Sequence, residues 1–172
     1  MLQIRLNTEV ELRPHVADSE YDDYRERIKH KLGTEGFELQ GPQEVGGYSI
    51  DLFAFKHFAV QGANLSCWLV KSDKTDLQTV KTFSEAMFGL ASRSLRGYVV
   101  ALSVIASHDF DAESKEFVRG YKGFHWPRGM DHPVLAELST RQIYHYDKKP
   151  AFVARIPFGL AIDNTKKFLS FE

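Results

Sequence analysis

The stretch at residues 65–106, LSCWLVKSDKTDLQTVKTFSEAMFGLASRSLRGYVVALSVIA, decides the fold. It begins with the apolar run LSCWLVK and ends with the Val- and Ile-rich run YVVALSVIA, which carries no charge. Between the two runs, apolar residues recur at helical spacing. A strand, a helix and a second strand in this order need a crossover connection, which makes the two strands parallel. The stretch therefore predicts an α/β protein with a mixed sheet.

The segment between the two strands has the pattern of an amphipathic helix. Thr75 and Gln78 are three residues apart, which is the spacing of a capping box, and they predict where the helix begins. Gly97 predicts where it ends. One face of this helix carries Leu77, Val80, Ser84, Met87, Phe88 and Ala91. That face is expected to pack beside the strand at residues 65–71.

The residues before this stretch predict a first helix and two further strands. The helix is expected to begin at Ser19, and its apolar stripe consists of Tyr21, Tyr24, Ile28 and Leu32. Strands are predicted at 37–40 and 48–55, and alternating apolar residues predict a strand or hairpin over 2–12. Asp111 is expected to cap a short helix near 112–119. The predicted order from 19 to 120 is α-β-β-β-α-β-α.

The C-terminal third of the chain has a different character. Residues 121–133 are rich in Gly, His, Trp and Pro and predict a loop. A hairpin is predicted between 141–146 and 151–156. We find no repeat, low-complexity tract or linker. The sequence therefore predicts a single domain over 1–172, with a core at 19–120 and an extension at 121–172.

Composition excludes several classes of protein. The chain has 172 residues, enough for one compact domain, and at 43% hydrophobic and 26% charged residues it is not expected to be disordered. No apolar run approaches the roughly 20 residues of a membrane-spanning helix, and the N-terminus lacks the pattern of a signal peptide. The single cysteine, Cys67, excludes an intrachain disulfide and a multi-cysteine zinc site. These features predict a cytoplasmic protein without membrane contact.

Three features near the crossover coincide in a recognisable order. Gly36-Phe37 follows the first helix, GGYSIDL occupies residues 46–52, and a strand ends at Lys71. This arrangement resembles the PD-(D/E)xK superfamily of restriction-endonuclease-like nucleases, and within it the Mrr-like branch. The resemblance covers residues 19 to about 120. It implies a restriction-endonuclease-like mixed sheet flanked by helices, with the C-terminal hairpin as an addition.

The resemblance also implies a chemistry, which is cleavage of DNA with Mg²⁺ or Mn²⁺. Such cleavage activates a water and stabilises charge on the phosphoryl oxygens, and a divalent cation held by carboxylates does both. In the resemblance, Asp51 anchors the metal and Lys71 assists the attacking water. DNA would be bound mostly through its backbone, and a homodimer would suit the cutting of two antiparallel strands.

The sequence departs from the family at Leu69, where an acidic residue or Gln is expected two positions before Lys71. Leucine binds no metal. One explanation is that the acid has moved to Glu85 on the following helix, so that Asp51 and Glu85 hold the metal. The other is that catalysis has been lost and that the chain is an inactive nuclease-fold module acting in protein or nucleic-acid binding.

Ordinary structural roles remain open for several of these side chains. Glu85 stands four residues after Lys81, and a surface ion pair is the commoner arrangement. Asp22 matches an acidic residue on the first helix of some family members, and it equally suits the positive end of the helix dipole. His108-Asp109 has no further partner at metal-ligand spacing.

One loop combines aromatic and basic residues. Phe124, His125 and Trp126 are expected either to stack on bases or to close an interface. The residues that could form a local basic surface nearby are Arg93, Arg96, Lys122, His125 and Arg128. The formal net charge is only −1, with 22 Lys plus Arg against 23 Asp plus Glu, so any attraction for nucleic acid has to be local.

Overall fold

The structure is a computed structural model that describes residues 19–149 and 155–172. Within these ranges, seven strands form a mixed sheet, two short strands form a second sheet, and helices cover both faces of the main sheet. The elements are α1 (Ser19–Thr34), β1 (Glu38–Gln40), β2 (Gln43–Val45), β3 (Tyr48–Ile50), β4 (Leu52–Phe58), β5 (Ala63–Lys71), α2 (Leu77–Ser94), β6 (Tyr98–Ser107), α3 (Ala112–Gly120), β7 (Gly123–His125), β8 (Gly129–Glu137), β9 (Gln142–Tyr144) and α4 (Arg155–Asn164), followed by a π-helical turn at Thr165–Leu169. The predicted α/β class and mixed sheet are confirmed.

The order of strands in the main sheet is β1-β4-β5-β6-β8-β7, and β9 also pairs with β8. β5 and β6 are parallel, as the crossover helix predicts. β1 and β4 are antiparallel to their neighbours, whereas β8 is parallel to β6. The strand predicted at 48–55 is divided at Asp51, because β3 pairs with β2 in the small sheet and β4 belongs to the main sheet.

Two apolar cores lie on the two faces of the sheet. On one face, α1 and α4 cover strand residues such as Leu65 and Leu102. The predicted stripe of α1 is confirmed, since Tyr21, Tyr24, Ile28 and Leu32 are all buried. On the other face, α2 and α3 cover residues such as Trp68 and Ile105. Full burial of one large apolar side chain contributes about 1.5–3 kcal/mol. These contacts fix the helices on opposite sides of the sheet.

The N-cap predicted for α3 is observed, whereas the one predicted for α2 is not. Asp111 caps α3 as predicted, and its side chain accepts a hydrogen bond from Ser114 N at 2.6 Å. The cap of α2 is Asp76 rather than Thr75, so that prediction is wrong by one residue. Asp76 accepts from both the backbone N–H and the hydroxyl of Thr79, at 2.9 and 2.8 Å. Asp is preferred over Thr at the N-cap position, which explains why the helix is capped by Asp76.

The loop predicted at 121–133 is wrong. This segment contains β7 and the first half of β8, and every residue of β8 is buried. The pattern misled because Asp131 and His132 interrupt an otherwise apolar run, although each is only 1% exposed. Polar residues are buried in a strand when partners from elsewhere in the chain satisfy them.

The predicted C-terminal hairpin is wrong at the end of its second strand. β9 lies within the predicted first strand, but it pairs antiparallel with β8. Arg155 and Ile156, which were assigned to the second strand, begin α4. Residues 151–154 and the strand or hairpin predicted at 2–12 lie outside the described residues. Within the described ranges, no helix has both the length and the apolar content needed to span a bilayer.

Candidate functional site

Asp51 lies at the break between β3 and β4, beside the end of β5. Its backbone N–H donates to Leu69 O at 2.9 Å. Its Oδ2 accepts hydrogen bonds from the Lys71 backbone N–H at 3.0 Å and from the Tyr21 hydroxyl at 2.6 Å. One carboxylate therefore joins the first turns of α1 to the end of a central strand.

Tyr21 and Lys71 complete this centre. Burial, followed by the hydrogen bond and the charge of Asp51, raises the pKa of the Tyr21 hydroxyl far above its ordinary value. The hydroxyl therefore remains a neutral donor throughout the physiological range. Lys71 Nζ lies 5.7 Å from the centroid of the Tyr21 ring, within cation–π range. The structure thus brings two of the three predicted site residues, Asp51 and Lys71, together.

Leu69 occupies the strand position at which the family carries an acid or Gln. It is 0% exposed. It stands between Leu52 on β4 and Val104 on β6, and all three belong to the core under α1. The side chain at this position is packed hydrocarbon and supplies no carboxylate oxygen to the Asp51 centre.

Glu85 lies elsewhere in the molecule. It is exposed on α2, where it lines a small cleft with Lys81, Ser84, Phe117 and Tyr121. α2 covers the face of the sheet opposite α1, and α1 carries the tyrosine that holds Asp51. The structure therefore does not bring Glu85 to Asp51.

The residues around Asp51 are a poor fit for Mg²⁺ or Mn²⁺. Both ions prefer oxygen ligands, with one or two carboxylates as the usual protein contribution. Asp51 supplies a carboxylate, but one of its oxygens already accepts two hydrogen bonds. Neither Leu69 nor Glu85 adds a second carboxylate there. Over residues 19–149 and 155–172, no group of three or more His, Cys, Asp or Glu side chains is arranged to hold a metal.

No family model matches this chain. A search of curated proteins likewise finds no match. The resemblance to the PD-(D/E)xK nucleases therefore stays a prediction, and it rests on Gly36-Phe37, the motif at 46–52 and the strand that ends at Lys71.

A second polar centre, around Asp131 on β8, was missed by sequence reasoning. The Asp131 carboxylate is nearly inaccessible to solvent, and it accepts hydrogen bonds from Ser84 Oγ and Tyr121 OH, both at 3.0 Å. His125 Nε2 lies 2.8 Å from its other oxygen. The group is fully satisfied, and it ties β8 to α2, to β7 and to the end of α3. An acidic residue inside the run at 129–137 was the only available signal.

The aromatic loop forms β7 and the turn into β8. Trp126 is 75% exposed and Phe124 is 37% exposed, whereas His125 points back to Asp131 and stacks on Phe88. The turn lies at the end of the sheet where β6 and β8 begin, because Gly129 pairs with Val99. The loop therefore presents all three of the predicted side chains to solvent, with His125 also held against Asp131. The arginines and the lysine predicted to surround it are also exposed, namely Arg93, Arg96, Lys122 and Arg128.

Proposed function

We propose that this chain is a binding module of PD-(D/E)xK nuclease ancestry that engages nucleic acid or protein without cleaving phosphodiester bonds. The observation that carries the proposal is the structural use of Asp51. Its Oδ2 holds the Tyr21 hydroxyl and the Lys71 backbone N–H, so the carboxylate fastens α1 to β5. An acid engaged in this way is a poor anchor for a catalytic metal.

The order of elements supports the nuclease ancestry. A helix (α1) is followed by the antiparallel strands β1, β4 and β5, then by a crossover helix (α2) and the parallel strand β6. This is the α-β-β-β-α-β order that the resemblance implies, with the short hairpin β2–β3 inserted before Asp51. The break at Asp51 lies beside the end of the strand that carries Lys71, as the family motif requires.

The packing of Leu69 supports the loss of catalysis. An acidic metal ligand at the family's position on β5 would have to replace this side chain, which is fully buried in the core under α1. An ionised carboxylate at such a position costs several kcal/mol unless it is paired. The surrounding residues are thus matched to a leucine, and a carboxylate there would be left without a partner.

Metal-dependent cleavage of DNA is the second candidate function. It is favoured by one observation, the adjacency of Asp51 and Lys71 at the end of β5. On this reading the two side chains act on a phosphodiester of DNA, with Mg²⁺ or Mn²⁺ as the cofactor and a homodimer as the natural assembly. DNA, the metal and the dimer all stay predictions.

One nuclease assay separates the two candidates. Supercoiled plasmid and single-stranded circular DNA are incubated with the wild-type chain in Mg²⁺ and in Mn²⁺, beside Lys71→Ala, Glu85→Gln and the control Lys74→Ala. Lys74 is exposed and lies three residues beyond Lys71, so it matches the charge change without touching Asp51. We expect no cleavage by any of the four proteins. Cleavage that is lost in Lys71→Ala and retained in Lys74→Ala would overturn the proposal and establish the nuclease.

A further inference from the structure

Three aromatic rings form a regular row beside the turn between β7 and β8, which we call the ring ladder. The rings of Trp126 and Phe124 have centroids 6.4 Å apart and planes within 18° of parallel. Phe124 and Phe158 repeat the same spacing and the same angle. Exposure falls from 75% at Trp126 to 37% at Phe124 and 3% at Phe158, so the ladder runs from solvent into the core.

The spacing of the ladder suits the insertion of a flat ring. Successive bases in a nucleic-acid stack are about 3.4 Å apart, so a base between two aromatic side chains separates them by roughly 6.8 Å. The distance of 6.4 Å between the ring centroids of Phe124 and Trp126 is close to that value. Phe124 lies in β7, and Trp126 lies two residues further on, in the turn that follows. His125, between them in sequence, points the other way, to Asp131.

The turn that carries the two rings is firmly held. Arg128 N donates to His125 O at 2.7 Å, which closes the turn. His125 is in turn bonded to the buried Asp131. At Gly129 a Cβ would overlap the backbone of Val99, so the turn packs directly on β6. Trp126 is therefore exposed on a preorganised surface, and preorganisation lowers the entropic cost of binding.

Exposed positive charge precedes and follows the aromatic pair along the chain. Lys122 and Arg128 are exposed and flank the aromatic pair in sequence. Lys122 Nζ lies 5.9 Å from the ring of Tyr146, which packs on Phe158 at the inner end of the ladder. Aromatic platforms with flanking cations are the features that bind single-stranded nucleic acids, because bases stack on the rings and phosphates meet the cations.

We infer that the gap between Phe124 and Trp126 is a slot for one unpaired base of a single-stranded nucleic acid. Lys122 and Arg128 contact the phosphates on either side of that base. The inference rests on the proposed binding function and names its partner. A duplex fits the slot poorly, since its bases are already stacked. A protein partner would bury Trp126 but has no need of two parallel rings at this spacing.

The test measures binding of the 172-residue chain to a fluorescein-labelled strand of 12 thymidines, by fluorescence anisotropy at low salt without divalent metal. Two further probes are an abasic strand of the same length and a blunt duplex. Trp126→Ala is compared with the control Ile156→Ala, which truncates another exposed apolar side chain. We expect Trp126→Ala to weaken thymidine binding about 5- to 150-fold, the range found for loss of one base–aromatic stack. Ile156→Ala should change it less than twofold, and the abasic strand and the duplex should bind at least tenfold more weakly than thymidine.

Stacking has its own spectroscopic signal in this chain. Trp68 is buried and Trp126 is exposed, so quenching of tryptophan fluorescence by the thymidine strand reports on Trp126. Quenching that disappears in Trp126→Phe, a variant that keeps an aromatic ring and preserves binding, would support the slot.

Three results would overturn the inference. These are unchanged thymidine binding in Trp126→Ala, equal binding of the abasic strand, and absence of binding to any strand. Self-association lost in Trp126→Ala, without strand binding, would assign the surface to a second copy of the chain and equally overturn it. Each of these leaves the proposed function intact. Shortening of the probe when Mg²⁺ is added, lost in Lys71→Ala, would instead contradict the proposed function without touching the slot.

Discussion

The backbone N–H of Lys71 donates a hydrogen bond to Asp51 Oδ2 across 3.0 Å, at the end of β5. The two residues of the nuclease-like motif therefore meet through the main chain of one and the carboxylate of the other. This contact does not require the lysine ammonium, so it survives any substitution at position 71 that keeps the N–H. It acts together with the Tyr21 hydroxyl, which binds the same oxygen. The Asp51 centre is thus a joint between a helix and two strands.

If the Asp51 centre is such a joint, Tyr21→Phe should destabilise the fold measurably. A hydrogen bond to a charged acceptor contributes about 1.5–3 kcal/mol, against about 0.5–1.5 kcal/mol for a neutral pair. Tyr24→Phe is the matched control, because the Tyr24 hydroxyl donates to the neutral carbonyl of Leu169 at 2.9 Å. We expect the larger loss of unfolding free energy in Tyr21→Phe, measured by urea denaturation. Equal losses in the two variants would show that Asp51 gains little from its tyrosine.

Replacement of Leu69 by the family's acid should be more damaging than its truncation. Leu69→Ala creates a cavity and is expected to cost about 2–5 kcal/mol. Leu69→Glu also buries a carboxyl, whose charge adds several kcal/mol at neutral pH. Burial raises the pKa of this carboxyl in the folded state, so the difference between the variants should shrink as the pH falls from 7 toward the unfolded pKa of about 4.3. The urea midpoints of both variants at pH 7 and at pH 4.5 measure this difference in stability. A Leu69→Glu variant that is as stable as wild type in Mg²⁺ would instead reveal a latent metal site.

The sequence predicted the centre of the sheet and missed two of its strands, β7 and β8. β5 and β6 are uncharged almost throughout, so their burial and parallel pairing were readable from composition and from the helix between them. β8 is equally buried, but it contains Asp131 and Glu137. Their partners, Ser84 and Lys115, lie far away along the chain. A local pattern cannot show that a charge will be satisfied by a distant side chain.

The candidate site was predictable to the same limited extent. The adjacency of Asp51 and Lys71 follows from a short motif and the order of strands. The position of Glu85 does not follow from the motif or the strand order, because it depends on which face of the sheet α2 covers relative to α1. Tyr21 was assigned to the apolar stripe of α1, and it does pack there, but its hydroxyl extends beyond the core to Asp51. Amphipathic periodicity places a ring without indicating where its polar end goes.

Buried histidines should make the fold sensitive to mild acid. Burial, followed by the nearby His145, lowers the pKa of His132 to about 3. The unfolded chain has a histidine pKa near 6.5, so it binds the proton first and stability is lost as pH falls from about 6.5 toward 3. The slope is at most about 1.4 kcal/mol per pH unit for one such group. We expect His132→Gln to flatten the decline of unfolding free energy between pH 6.5 and pH 5.

The control for this prediction is His108→Gln. His108 is exposed on the surface and lies 3.8 Å from the exposed Glu20, so its replacement should leave the slope unchanged. Unfolding is followed in urea at half-unit pH steps, with pH 8 as the reference. If the unfolding free energy of His132→Gln declines with falling pH as steeply as that of the wild type, groups other than His132 dominate the loss of stability in acid.

The contact between β6 and β8 at Gly129 predicts an intolerance to any side chain. Gly129 has φ 150°, and a Cβ there would overlap the backbone of Val99. Gly129→Ala should therefore force the strands apart and cost about 1–3 kcal/mol by overpacking. Gly120→Ala, at the end of α3, has open space around the new methyl group and should change stability by less than about 1 kcal/mol. Thermal unfolding by circular dichroism compares the two. Equal midpoints would mean that β8 shifts away from β6 at no cost, and the turn carrying Trp126 would then be less firmly seated than its contacts indicate.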